Sequence, residues 1–141
     1  MKIAVRYQSR GGNTKAVAEA IAKAAGVKAE PIDVPLEEPT DLLFIGGGVY
    51  MWDIDRPLKD YLQTLNPNLV KSAAAFSTAG GMDGARKIVA IAKEKGIPVR
   101  EKTLPLKMGA HNHAWLGGKG YITLTDNQLH LIDGFVRDSL K

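Results

Sequence analysis

Strand-length apolar segments alternate with helical segments along the whole chain of 141 residues. The apolar segments predict five strands, at residues 2–7, 27–34, 42–46, 73–77 and 99–105. Helical patterns predict four helices, at about 14–25, 57–65, 84–95 and 126–140. Because helices separate most of the strands, the chain is expected to adopt an α/β fold built on a parallel sheet.

The prolines indicate how the five strands are ordered. Pro31 lies within the second predicted strand, and Pro98 and Pro105 flank the fifth. Proline cannot donate to a β ladder, so both strands are expected at the edges of the sheet. The other three strands are nearly continuously apolar, as strands buried on both faces are. These features predict a five-stranded parallel sheet of order 2-1-3-4-5 with helices on both faces, in a single domain over residues 1–141.

The composition excludes several classes of protein. The chain has no cysteine, so disulfides, thiolate metal sites and cysteine nucleophiles are excluded, and redox chemistry requires a bound cofactor. No apolar segment approaches the roughly 20 residues of a membrane span, and no signal sequence precedes the first strand, so a cytoplasmic location is expected. Residues 71–141 carry 11 basic against 6 acidic side chains. Without interleaved aromatics or a nucleic-acid motif, this excess indicates a solvated surface and no nucleic-acid partner.

The segment after the first strand is suited to bind an anion. Ser9-Arg10-Gly11-Gly12-Asn13-Thr14 leads into the first helix, where free N–H groups and the positive end of the helix dipole point outward. The two glycines let the backbone approach a ligand closely, the hydroxyl and amide side chains can bind phosphate oxygens, and Arg10 adds charge. A simple strand-to-helix turn capped by Asn13 or Thr14 is the alternative.

Two further loops are expected beside this segment, because the carboxyl ends of strands one, three and four meet in the order 2-1-3-4-5. Gly46-Gly47-Gly48-Val49-Tyr50-Met51-Trp52-Asp53 follows strand three and offers two aromatic rings to a planar ligand. Packing of Tyr50 or Trp52 on the next helix is the alternative. Thr78-Ala79-Gly80-Gly81-Met82-Asp83 follows strand four and is rich in glycine, with a plain turn capped by Asp83 as the alternative. The three loops together describe a site for a flat mononucleotide, and flavin mononucleotide (FMN) fits best.

These features resemble the flavodoxin family. Residues 7–14 are similar to the phosphate loop of that family, (Ser/Thr)-x-Thr-Gly-x-Thr, although Gly11 replaces its middle threonine. The loops after strands three and four correspond to the two loops that border the isoalloxazine ring in the family. The resemblance follows the order of elements over essentially the whole chain and implies a flavodoxin-like three-layer sandwich.

The resemblance also implies roles for individual residues. The FMN phosphate would be held by Ser9, Arg10, Gly11, Gly12, Asn13 and Thr14. The ring would be bordered by Gly48, Val49, Tyr50, Met51 and Trp52 on one side and by Thr78, Ala79, Gly80 and Gly81 on the other. In the family a peptide of the strand-three loop can turn its carbonyl toward the flavin, and Gly47 and Gly48 would make such a turn sterically easy.

A flavodoxin-like protein would carry electrons between a reductase and an acceptor, either a redox partner protein or a small molecule. Classical flavodoxins are strongly acidic, whereas this chain has a net charge of +4, so their acidic docking mode is not expected here. Two alternatives stay open. One is an FMN-dependent oxidoreductase acting on a small molecule such as a quinone, and the other is a flavin-free interaction module with the same fold.

Other chemistries match the residues less well. The first loop lacks the G-x-G-x-x-G pattern of a dinucleotide site, although Asp33 lies near the acidic position of such sites. His111 and His113 have no third ligand at a recognisable spacing, so no metal site is predicted. Trp115 either covers the flavin edge or packs on the last helix. No residue is predicted to be catalytic.

Overall fold

A computed structural model describes residues 1–79, 83–109, 112 and 122–141. The strands are β1 (Ile3–Gln8), β2 (Ala29–Pro31), β3 (Leu42–Tyr50), β4 (Asp53–Ile54), β5 (Ala73–Ala79) and β6 (Leu104–Lys107). The helices are α1 (Asn13–Ala25), α2 (Arg56–Gln63), α3 (Gly84–Glu94) and α4 (Asp126–Ser139). Each helix ends within about two residues of its predicted limits, the scatter expected where helix ends fray.

The sheet has the order β2-β1-β3-β5-β6, and all of these strands are parallel. The predicted order 2-1-3-4-5 is therefore confirmed. The additional strand, β4, has two residues and pairs antiparallel with the end of β3. Pro31 and Pro105 both lie in edge strands, β2 and β6, as a residue without an N–H requires.

Alternation along β3 builds a hydrophobic core on each face of the sheet. Leu42 and Phe44 point into the core beneath α1 and α4, and Leu43 and Ile45 point into the core beneath α2 and α3. The rings of Phe44 and Phe135 meet edge to face, with centroids 5.7 Å apart. A fully buried side chain of this kind contributes about 1.5–3 kcal/mol, so these two cores fix the three layers.

Strand β3 is longer than predicted and contains all three glycines of residues 46–48. The expectation of a loop from residue 46 is wrong, because Gly46 and Gly47 pair with both β1 and β5. A Cβ atom on Gly46 would lie 2.3 Å from the ring of Phe76, and one on Gly47 would lie 2.4 Å from Leu58. The close packing at Gly46 and Gly47 therefore leaves no room for a side chain, and both residues belong to the β ladder.

The other strand limits also differ from the predicted ones. Strand β5 continues through Thr78 and Ala79, which were expected in a loop. Strand β2 covers only residues 29–31 of the predicted 27–34. The last strand was predicted at 99–105, but Val99 forms only an isolated bridge with Ala73, and β6 begins at Leu104. Within the described residues, no helix has the length and apolar character needed to cross a membrane.

Candidate functional site

The carboxyl ends of β1, β3 and β5 meet around a cavity of about 230 Å³. Three elements predicted to converge line this cavity: the loop after β1, the end of β3 and the end of β5. Their residues in the lining are Gly11, Asn13, Gly48, Val49, Tyr50 and Thr78. Met108 completes the lining. Sequence reasoning missed Met108, which follows the edge strand β6 and carries no local signal for a site.

The first turn of α1 is open. Its N-cap residue, Gly12, has a positive φ of 94°, and no side chain caps the helix, so the expected alternative of a cap by Asn13 or Thr14 is not observed. The Gly12 N–H donates to Ser9 Oγ at 3.0 Å. No acceptor among the described residues lies within hydrogen-bond reach of the main-chain N–H groups of Gly11, Asn13, Thr14 and Lys15. Such groups attract an anion.

Two threonine hydroxyls join the start of α1 to the end of β5. Thr14 Oγ1 and Thr78 Oγ1 are 2.7 Å apart, and both residues are buried. Next to them, Asn13 Oδ1 is buried without a hydrogen-bond donor among the described residues. The Thr14 side chain therefore anchors the loop, while the amide of Asn13 keeps an unused acceptor at the edge of the cavity.

Arg10 connects the loop after β1 to the start of α2. Its guanidinium donates to both carboxylate oxygens of Asp55, from Nε at 2.7 Å and from Nη2 at 2.6 Å, and lies 4.3 Å from the centre of the Tyr50 ring. The Arg10 N–H donates to the Tyr50 hydroxyl at 3.2 Å. Asp55 is buried, and the hydrogen bonds from Arg10 lower its pKa. The charge of Arg10, expected over the anion site, is thus directed at Asp55.

Met51 and Trp52 form the turn between β3 and β4. Both have positive φ angles, 49° and 69°, which cost non-glycine residues of order 1–3 kcal/mol each. Both are exposed, Met51 by 95% and Trp52 by 80%, so Trp52 does not pack on the following helix. Lys87 Nζ donates to Trp52 O at 3.0 Å and to Asp53 at 3.1 Å.

A pair of lysines holds the far end of this turn. Lys59 forms an ion pair with Asp53, and Lys87 forms a second one. Hydrogen bonds from Lys59, and then from Lys87, lower the pKa of Asp53 to about 2. The carboxylate is therefore ionised at neutral pH and fixes the exposed turn in place.

The start of α3 is closed by its own side chain. Asp83 accepts hydrogen bonds from the N–H groups of Ala85 at 3.0 Å and Arg86 at 3.4 Å, as the alternative of a capped turn predicted.

Gly80 and Gly81, expected beside the ring, lie outside the described residues, as do His111, His113 and Trp115. The sequence did not predict that Asp55 pairs with Arg10. Asp55 precedes α2 and indicates only a helix cap, and Arg10 lies 45 positions away.

The parallel order and the cavity at three strand ends define a flavodoxin-like fold. The chain belongs to the flavodoxin domain family, whose model it matches over residues 4–118. The predicted resemblance is therefore confirmed. No curated protein sequence matches the chain.

Solved structures share this fold. A flavodoxin from the domain Archaea has a TM-score of 0.74 and 22% identity, over 98% of this chain and 95% of that one. The rubredoxin oxygen:oxidoreductase from the anaerobe Desulfovibrio gigas has a TM-score of 0.69 and 14% identity, and the flavodiiron protein from Giardia intestinalis has 0.68 and 16%. In both, 98% of this chain matches only 35% of the longer protein. At these identities the likeness concerns the fold alone.

Proposed function

We propose that this protein binds FMN in the cavity at the ends of β1, β3 and β5 and carries electrons between a reductase and an acceptor. The observation that carries the proposal is the open first turn of α1, which borders that cavity in a chain of the flavodoxin domain family. The bound flavin would supply the reversible uptake of electrons, and the protein would supply binding, orientation and electrostatics.

The residues around α1 fit a phosphate group. The main-chain N–H groups of Gly11, Asn13, Thr14 and Lys15 are available, and the helix dipole favours a negative charge at this end. Ser9 Oγ accepts from Gly12 and retains its own proton to donate to a phosphate oxygen. The buried Asn13 Oδ1 would gain a donor from a hydroxyl of the ribityl chain. In this proposal Gly12 and Thr14 shape the loop, and the main chain binds the phosphate.

The ring would lie between the end of β3 and the end of β5. Gly48, Val49 and Tyr50 line one side of the cavity, and the exposed Met51–Trp52 turn extends that side outward. Thr78 lines the other side, and we assign Ala79, Gly80 and Gly81 to that side as well. A flat ring covering Trp52 would bury an aromatic side chain that is 80% exposed.

Arg10 has a positioning role in this proposal. Its guanidinium fixes both Asp55 and the Tyr50 ring, so it sets the distance between the phosphate loop and the ring-binding side of the cavity. The outer edge of the ring would remain open toward the solvent. Electrons would pass through that edge to a redox partner protein or to a small-molecule acceptor.

Binding of FMN and riboflavin to the ligand-free protein tests the proposal. Flavin absorbance should remain with the protein after gel filtration for FMN, and riboflavin should bind at least about tenfold more weakly, because it lacks the charge-assisted phosphate contacts. A Cβ atom at Gly11 has no neighbour within 4 Å, so Gly11→Asp and Gly11→Asn form a matched pair that differs in charge. Gly11→Asp should weaken FMN about 100-fold relative to Gly11→Asn.

Two results would contradict the proposal. Equal affinity for FMN and riboflavin would mean that α1 does not bind the phosphate. A protein with no affinity for either flavin would instead be a flavin-free interaction module.

A further inference from the structure

A second cavity, of about 450 Å³, also borders the loop after β1. It is lined by Tyr7 at the end of β1 and by Ser9 in that loop. The segment that follows β2 contributes Ile32 and Asp33, and helix α2 contributes Pro57 and Tyr61. None of these residues except Ser9 has a role in the flavin proposal.

The walls of this second cavity suit a planar ring. Two phenol rings, two prolines and an isoleucine line it, which is the predominantly apolar character of small-molecule sites. Tyr61 is half-buried, and burial raises its pKa. Its ring is thus packed into a wall instead of extending freely into solvent.

One residue that lines the second cavity, Asp33, is acidic. The pKa of Tyr7 is raised by burial and then by the negative charges of Glu19, Glu30 and Asp33. Asp33 is exposed and forms no ion pair with a described residue. Its carboxylate disfavours a phosphate beside it but accepts hydrogen bonds from neutral hydroxyls.

The two cavities border the same loop. Ser9 lines the second cavity, whereas Gly11 and Asn13 line the flavin cavity. A ligand with its phosphates over this loop could therefore place one ring system in each cavity. A mononucleotide such as FMN would fill only one of them.

We propose that the second cavity binds an adenosine moiety. Tyr7 and Tyr61 would contact the base, and Asp33 would accept hydrogen bonds from the ribose hydroxyls, the role that an acidic residue after the second strand has in dinucleotide sites. The inference rests on the proposed flavin site, because the loop would bind phosphate on behalf of both cavities. The adenosine belongs either to flavin adenine dinucleotide (FAD) bound across the loop or to a separate adenine nucleotide.

Affinities for FMN, FAD and AMP test this inference. The unmodified protein should bind FAD about tenfold more tightly than FMN, as one added hydrogen-bonded contact to a charged group predicts. Tyr61→Leu should abolish that preference and leave FMN affinity unchanged, whereas the matched control Tyr61→Phe, which keeps the ring, should retain it. Asp33→Asn, at an exposed position, tests the ribose contact without disturbing the core.

A second arm isolates the ribose contact from any effect on folding. Adenosine 2′,5′-bisphosphate should bind about tenfold more weakly than AMP, because its 2′-phosphate meets the carboxylate of Asp33. Asp33→Asn should reduce the difference in affinity between AMP and adenosine 2′,5′-bisphosphate. If Asp33→Asn leaves thermal denaturation unchanged and shifts the affinities for these two ligands relative to each other, a general loss of structure cannot explain the result.

Each outcome decides the inference. Preference for FAD that depends on Tyr61 supports it and identifies FAD as the source of the adenosine. AMP binding that depends on Tyr61 and Asp33, without a preference for FAD, supports it with a separate nucleotide as the source. The absence of both effects overturns it, and FMN binding in the same experiment would leave the proposed function intact. AMP binding without flavin binding would contradict only the proposed function.

Discussion

Helices α1 and α3 both follow central strands and begin at the same edge of the sheet, yet their first turns differ. At α3, Asp83 accepts from two main-chain N–H groups. At α1, Gly12 has no side chain to offer. Helices α2 and α4 begin with Asp55 and Thr125, whose side chains accept from the N–H groups of Arg56 and Gln128. Within the described part of the chain, α1 alone lacks a side-chain cap.

The difference shows that one edge of the sheet holds two kinds of helix start, one closed by a side-chain cap and one whose main-chain N–H groups have no acceptor among the described residues. A capping carboxylate satisfies the N–H groups and the dipole permanently, and it contributes about 1 kcal/mol to stability. At α1, Ser9 accepts from Gly12, Thr14 bonds to Thr78, and Asn13 Oδ1 accepts from no described group. The main chain is left for a negatively charged group to bind.

The largest expected effect comes from adding FMN. At a free concentration 100 times its Kd, FMN should raise the free energy of unfolding by about 2.7 kcal/mol, measured by urea denaturation with and without ligand. Asp83→Ala should lower stability by about 1 kcal/mol and leave the FMN increment unchanged, since α3 does not bind the phosphate. Gly11→Asp should remove most of the increment. If Asp83→Ala abolished the FMN increment and Gly11→Asp kept it, α3 and not α1 would bind the phosphate.

A smaller effect, a loss of stability, is expected from Thr14→Val. The substitution keeps the shape of the side chain but leaves the buried Thr78 hydroxyl without its partner, at a cost of about 1–2 kcal/mol in the free energy of unfolding. Thr14→Ser keeps the hydroxyl and should lose clearly less in the same denaturation experiment. Equal losses from the two variants would mean that the methyl group, and not the hydrogen bond, anchors α1 to β5.

Local patterns were enough to predict the strand order and the convergence of the loops. Proline marks edge strands through its missing N–H, and continuous apolar segments mark central ones, so the order followed from Pro31, Pro98 and Pro105 without knowledge of any contact. The helix limits followed from periodicity and caps for the same reason. These signals lie within a few residues of the feature they predict.

Contacts between distant residues could not be predicted in this way. Gly46 and Gly47 signal a turn unless the Phe76 ring and Leu58 are known to occupy the space of their side chains. Arg10 signals an anion ligand unless Asp55, 45 residues away, is known to be its partner. In both cases the contact is with a residue distant in sequence, which no local pattern indicates.

The smallest expected effect is a local response of the Met51–Trp52 turn to acid. Asp53 has a pKa of about 2 in the folded protein, below the value of about 3.9 for an unperturbed aspartate. A lowered pKa stabilises the fold above pH 4, and this contribution is lost as the pH falls from about 4 to 2. Trp52 fluorescence, in a Trp115→Phe background, should stay constant from pH 7 to about 4.5 and change below pH 4.

Asp53→Asn is the control for this acid response. It removes the titrating carboxylate that holds Lys59 and Lys87, so the turn should be loosened at every pH and the step below pH 4 should disappear. A step that persists in Asp53→Asn would come from another group, such as Asp55, whose pKa is also lowered. The exposed turn would then depend on the Arg10–Asp55 pair, and a single ion-pair system would control both the phosphate loop and the aromatic side of the cavity.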